Sequence, residues 1–157
     1  MNFAITFCFI IESILSNLHL SNHNNLLIQD SLKSNGIELI ISNIKNTNGL
    51  IRIGVYSSLN GYPDNPQYSF SPAKDTIKSG KLHIFIPLKD PGNYAISILD
   101  DENSNGKMDY LFKIMPKEGF GFSNNPKITG RKPPSFEQTS FLFEKGKMKI
   151  SVRMIYI

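Results

Sequence analysis

Residues 147–156 read KMKISVRMIY. Met148, Ile150, Val152, Met154 and Tyr156 alternate with Lys149, Ser151 and Arg153. That period of two is the pattern of a β-strand with one face buried and one face wet. It makes this stretch the clearest strand of the chain. Lys145-Gly146 before it reads as a tight turn. Residues 135–144 read as a further strand, with Thr139, Phe141 and Phe143 alternating against Gln138 and Ser140.

The same alternation recurs upstream between turn signals, with no credible amphipathic helix. Residues 37–44 (IELIISNI) and 50–57 follow it on either side of a turn at 46–49. In the second of these Ile51, Ile53 and Val55 share one face, and Arg52, Gly54 and Tyr56 share the other. Residues 81–86 (KLHIFI) put Leu82, Ile84 and Ile86 inward. Residues 94–99 (YAISIL) put Tyr94, Ile96 and Ile98 on one face after a Pro91-Gly92 turn. A long connection at 58–79 carries Pro63, Pro66 and Pro72 and has room for a short edge strand or helical turn. About seven strands, each with one wet face, and no helices to cover a parallel sheet predict an all-β fold. Its expected form is a two-sheet antiparallel β-sandwich, transthyretin-like or Greek-key.

A length of 157 residues suits one domain able to bury its own core. Residues 3–11 (FAITFCFII) have the length of a signal-peptide core and are too short to span a bilayer. The expected organisation is therefore a signal peptide at 1–21, a spacer at 22–35 and a single sandwich at 36–157, secreted or periplasmic. Cys8, the one cysteine, falls inside that apolar stretch. The chain beyond it has no thiol for disulfides, Cys-based zinc sites or nucleophilic catalysis. The net charge of +4 is spread over scattered lysines, among them Lys74 and Lys107, with no basic-aromatic motif. Nucleic acid is not an expected partner.

The segment 100–109 reads DDENSNGKMD. Asp101, Asn103 and Asn105 are spaced by two, Gly106 follows, and Asp109 lies three further on. Side-chain oxygens at alternate positions of a tight loop, with the Lys107 carbonyl, can converge on calcium, a hard cation that takes six to eight oxygen ligands. The spacing matches an EF-hand loop except at its last position, where Phe112 replaces the bidentate glutamate, and flanking helices are not expected. Affinity would then be modest, about 10⁻⁴–10⁻³ M, with Asp100, Glu102 or Glu118 available to complete the shell. Asp, Asn and Gly also make good turns by capping their own backbone, and both readings stand. Mutual repulsion among Asp100, Asp101 and Glu102 favours the ion.

Three motifs in order, GNYAISILDDENSNGKMD, PKEGFGFSNNP and PPSFEQTSFLF, resemble the exported bacterial family known as domain of unknown function 2141 over roughly residues 37–157. The resemblance implies a secreted or periplasmic β-sandwich similar to transthyretin-like and carboxypeptidase-regulatory-like domains, and it implies no activity. On the family pattern Tyr94 is a core anchor, and Asp101, Asn103, Asn105 and Asp109 carry the first loop. Glu118, Gly119, Gly121, Phe122, Ser123, Asn124 and Asn125 form a second loop. Gly119 and Gly121 are expected to allow positive-φ turns beside Phe120 and Phe122. The second loop reads either as a rigid plug at one end of the sandwich or as a lip for a ligand.

No nucleophile elbow, P-loop or dinucleotide fingerprint is present, and His83 stands alone on the expected outer face of a strand. The chain is expected to be a monomeric, non-enzymatic interaction or accessory domain without a transmembrane span. Its expected partner is a protein or glycan at the cell surface or in the periplasm. The alternative is a carbohydrate or small-molecule binding domain that uses Tyr62, Tyr68, Phe120 or Phe122 as stacking surfaces.

Overall fold

A computed structural model describes residues 35–130 and 132–157. The expected signal peptide, and the spacer up to Ser34, lie outside these residues. Ten strands form in the order β1 (Gly36–Ser42), β2 (Leu50–Tyr56), β3 (Tyr68–Phe70), β4 (Leu82–Pro87), β5 (Gly92–Asp101), β6 (Tyr110–Leu111), β7 (Met115–Pro116), β8 (Gly119–Phe122), β9 (Phe141–Phe143) and β10 (Lys147–Arg153). Among the described residues, the remaining elements are a three-residue 3₁₀ turn (Lys74–Thr76) and one short helix, α1 (Phe136–Thr139).

The first sheet has the order β10-β1-β4 and the second β3-β2-β5-β8, with β9 also on β5. The chain crosses between them at 43–49 and again on either side of β4. Alternation does the rest: Ile37, Leu39 and Ile41 from one sheet meet Ile53, Val55 and Ile96 from the other in a single apolar cluster. Each such side chain, fully buried, contributes about 1.5–3 kcal/mol. This is the all-β sandwich that the strand pattern predicts.

One pairing departs from an all-antiparallel fold. β1 and β10 run parallel, from Gly36 opposite Lys147 to Ser42 opposite Arg153. The first and last strands meet across the whole fold, so no tight turn constrains their direction. Residues 135–144 also differ from expectation, since only 141–143 extend. Ser135 caps α1 by accepting from the Gln138 amide, and the Gln138 side chain accepts from the Ser135 amide. That capping box (S-x-x-Q) outweighs a weak alternation.

β8 and β9 form one interrupted strand. Ser97 pairs with Phe122 and Tyr94 with Phe141 on the same edge of β5. The register would run on unbroken if the excursion 124–139 were removed. The Ser123 hydroxyl closes its neck, donating to the Thr139 carbonyl at 2.5 Å and accepting from the Ile96 amide at 2.9 Å. The Asn124 side chain donates to the Ser140 carbonyl at 2.7 Å.

Candidate functional site

The acidic segment begins in a strand. Asp100 and Asp101 end β5, and both are fully buried. Successive strand residues face opposite ways, so the two carboxylates meet different partners. Asp100 points into the end of the core. Its Oδ1 is paired with the Lys74 ammonium, and its Oδ2 accepts from the Tyr156 hydroxyl at 2.5 Å. Lys74 is itself enclosed and also donates to Asn46 Oδ1 at 3.2 Å. Burial, then the Asp100 carboxylate, pushes the Tyr156 hydroxyl far above its ordinary pKa.

Asp101 points to the outer face. Its Oδ2 is paired with Arg52 Nε and accepts from the Gly106 amide at 2.9 Å, and its Oδ1 accepts from the Asn105 amide at 3.0 Å. Burial would raise this carboxyl, but Arg52 and the two amides outweigh it and hold it below the usual carboxylate range. The repulsion that favoured an ion is thus met within the chain by Lys74 and Arg52. A sequence reading misses both, because the partners lie 26 and 49 residues away along the chain.

Beyond Asp101 the loop closes on itself. Asn103 Oδ1 accepts from the Asn105 amide and Asn105 Oδ1 from the Lys107 amide, both at 3.0 Å. The side-chain amides of Asn103 and Asn105 donate to Asp109 Oδ2 at 2.6 and 3.0 Å. Asn103, Asn105 and Asp109 therefore converge on one point. Glu118, nearly buried at the base, clips the two ends of the loop together: its carboxylate accepts from the Glu102 and Asp109 amides, each at 3.1 Å. Among the described residues no three His, Cys, Asp or Glu side chains gather as a ready metal site. The oxygens of Asn103 and Asn105 face backbone amides while their N–H groups face Asp109, so an ion at this point would need both side-chain amides to turn over.

The second loop is mostly strand. Gly119 and Gly121 lie in β8 without positive φ, which corrects the expected turns. Their value is the absence of a side chain. A Cβ on Gly119 would lie 2.3 Å from the Tyr156 ring, and one on Gly121 would lie 2.7 Å from Val152. These glycines let the C-terminal strand and tail cross β8 closely. Ser123 and Asn124 hold the excursion, and Asn125 ties it to β10 by donating to the Ser151 carbonyl and accepting from the Arg153 amide.

Phe120 and Phe122 take the opposite face of β8 and join Leu99 of β5 as lining of a groove of about 780 Å³. One wall is the β6–β7 hairpin, through Tyr110, Ile114 and Met115. The other is the excursion, through Ile128, Pro133 and Pro134. Lys107, Lys132 and Asp64 add charge to the lining. The acidic loop reaches this groove through Gly106, Lys107 and Met108, and the second loop supplies Phe120 and Phe122 to its lining. At the hairpin tip Phe112 and Lys113 both adopt positive φ, and Phe112 is 82% exposed. Bulky residues disfavour that backbone region.

The four aromatics expected to stack a sugar do not share one surface. Tyr62 packs edge-on against Tyr56 and Phe136, with ring centroids 4.9 and 5.8 Å apart, and its hydroxyl bonds Thr139. Tyr68 lies on β3, at the edge of the sheet. Only Phe120 and Phe122 line the groove.

A family model described as "Uncharacterized protein conserved in bacteria (DUF2141)" matches residues 39–151. The chain belongs to this family. No curated protein and no solved structure matches it. The DUF2141 match begins within β1 and ends within β10, so it takes in both sheets, both loops and all of the groove lining except Ile157. Among the described residues of this DUF2141 protein, no helix is long and apolar enough to cross a membrane.

Proposed function

We propose that this domain is a non-catalytic binding module, acting outside the cytoplasm, whose ligand is a small apolar molecule with an anionic end. The groove carries the reading. The outer face of a sandwich sheet ordinarily meets water and is polar. Here it offers Leu99, Phe120 and Phe122 beneath walls of exposed apolar side chains. Its volume falls in the range of small-molecule sites, about 300–1,000 Å³, and its lining has two lysines against one aspartate. The Ser97 hydroxyl is engaged by Tyr56 at 3.0 Å, and no histidine lines the groove, which supports binding over catalysis. The apolar stretch at 3–11 supports export.

Titration with anilinonaphthalene sulfonate, an apolar dye bearing one anionic group, tests the ligand class. Saturable 1:1 binding is expected, lost in Phe120→Asp while the melting temperature stays within a few degrees. Unsaturable binding, or binding indifferent to Phe120→Asp, counts against the groove.

A second reading is favoured by the convergence of Asn103 and Asn105 on Asp109. Calcium would be held there with the Lys107 carbonyl once the Asn103 and Asn105 side-chain amides turn their oxygens toward Asp109, and its role would be to stiffen one wall of the groove. At 10 mM Ca²⁺, roughly ten times the weakest Kd of extracellular modules, binding to the native state alone would stabilise by about 1.4 kcal/mol. The melting temperature should rise, and Asn105→Ala should abolish the rise. An unchanged melting curve rejects the ion.

A further inference from the structure

Lys74 stands with Phe143 among the largest fully buried side chains of the described residues, and the groove does not use it. It leaves the 3₁₀ turn at 74–76 and ends inside the sandwich against Asp100. Both side chains are fully enclosed. The pair is poorly matched as ions. A lysine ammonium has three donors, and the structure gives it two acceptors, Asp100 Oδ1 and Asn46 Oδ1. Asp100 Oδ1 faces the nitrogen and takes no well-aligned hydrogen bond. Oδ2 of the same carboxyl is held by the Tyr156 hydroxyl at 2.5 Å. Two charges sealed from water also forfeit their hydration, and attraction between them offsets that only when every donor and acceptor is satisfied.

An amide fits these surroundings better than an ion pair. It has one N–H and one C=O. Asn46 Oδ1 stands where the N–H would donate, and the Tyr156 hydroxyl already donates to the oxygen that would become the carbonyl. The geometry points to an isopeptide bond between Lys74 Nζ and Asp100 Cγ, formed by the chain itself. The Nζ–Cγ bond forms and the Cγ–Oδ1 bond breaks. Two of the three ammonium protons move to the adjacent Oδ1, which leaves as water, and the third stays on the amide nitrogen. Nothing is oxidised or reduced, and no co-reactant is needed. Tyr156 would stabilise the charge that builds on Oδ2 as nitrogen adds, the role of an oxyanion donor. Proximity of two enclosed groups supplies the remainder, as in other intramolecular reactions of fixed geometry.

The bond would join the connection between β3 and β4 to β5, which pairs with β2 on one side and with β8 and β9 on the other. That connection already runs beside β2, through Leu50 opposite Ala73 and the Ile51 amide on the Pro72 carbonyl. A covalent tie there would close a loop of 26 residues in the unfolded chain and resist its full extension.

Mass spectrometry of the purified, denatured full chain tests this. A tryptic digest should contain residues 53–78 joined to residues 90–107, lighter than the two peptides together by one water, with no cleavage after Lys74. The intact chain should carry the same deficit once its N-terminus has been mapped, and Lys74→Met should restore the full mass. Because the chain is measured denatured, the result does not depend on whether the variant folds. Free peptides ending at Lys74, a cross-link to Asn46 with loss of ammonia, or a water deficit that persists in Lys74→Met would each overturn the assignment.

Discussion

Replacing Gly119 with alanine tests how the end of the core is built. A Cβ there would stand 2.3, 2.5 and 2.9 Å from three carbons of the Tyr156 ring. Carbon atoms rest at about 3.5–4.0 Å, so the ring would have to retreat by more than about 1 Å. It is not free to do so. Its hydroxyl donates to buried Asp100 at 2.5 Å and accepts from the Lys45 amide at 3.1 Å, and the Lys45 ammonium lies 4.4 Å from the ring centre. Overpacking costs about 1–3 kcal/mol, and losing a hydrogen bond to a buried carboxylate costs about 1.5–3 kcal/mol. The lower entropy of the unfolded alanine chain offsets about 0.4–1 kcal/mol. The net loss is about 3 kcal/mol, or roughly 10 °C in melting temperature for a domain of this size. Urea and thermal melts of Gly119→Ala measure it. In a Tyr156→Ala background the clash disappears, so the same substitution should cost close to nothing, with a coupling of about 2–3 kcal/mol between the sites. A single variant that melts within about 2 °C of the parent, or an equal loss in both backgrounds, refutes the reasoning.

Two further predictions concern the loops. The Asp101 carboxyl is held below its unfolded pKa of about 3.9, so its contribution to stability is present above that value and is lost as pH falls through the folded pKa. Arg52→Gln should move the acid-unfolding midpoint, followed by circular dichroism, to higher pH; an unmoved midpoint would show that Arg52 does not stabilise the carboxylate. Ser123→Ala should cost about 1–3 kcal/mol by leaving the buried Ile96 amide without its hydroxyl partner. Hydrogen exchange should speed across 124–139 while β1 and β10 stay protected, whereas uniform acceleration over the chain would rule out Ser123 as a local clasp.

Strand existence was legible because burial on one side of a sheet writes itself as alternation. The inward residues of β2, β4, β5 and β10 follow that reading, down to Val152 and Met154. What alternation could not convey was pairing. Nothing local says that β1 lies parallel to β10, or that β8 resumes as β9 after the excursion. The acidic motif was legible as a loop, yet its first two residues belong to a strand. Lys74 read as one of several scattered lysines, with nothing to mark it as enclosed. Its burial depends on Asp100 and Tyr156, which only the folded topology brings to it. Gly119 and Gly121 read as turn formers because glycine is commonest where φ is positive. A glycine that makes room for a crossing ring leaves the same letter in the sequence.

The consecutive aspartates explain how the groove wall is anchored. One residue earlier or later in register, both carboxylates would exchange faces, and neither cation would be in reach. At their actual positions Asp100 fastens β5 inward to the 3₁₀ turn and the C-terminal tail. Asp101 fastens it outward to Arg52 of β2 and to the loop amides of Asn105 and Gly106. Glu118, immediately before β8, then bonds the far end of the same loop through the Asp109 amide. The loop is therefore held at both ends to the two strands whose outward residues line the groove. The β6–β7 hairpin begins immediately after Asp109, so its base stands on that fixed support while its apolar tip projects. The base therefore sets where Tyr110 and Met115 join Phe120 in lining the groove, and the exposed tip at Phe112 is the part of this wall that the proposed ligand would meet from solvent.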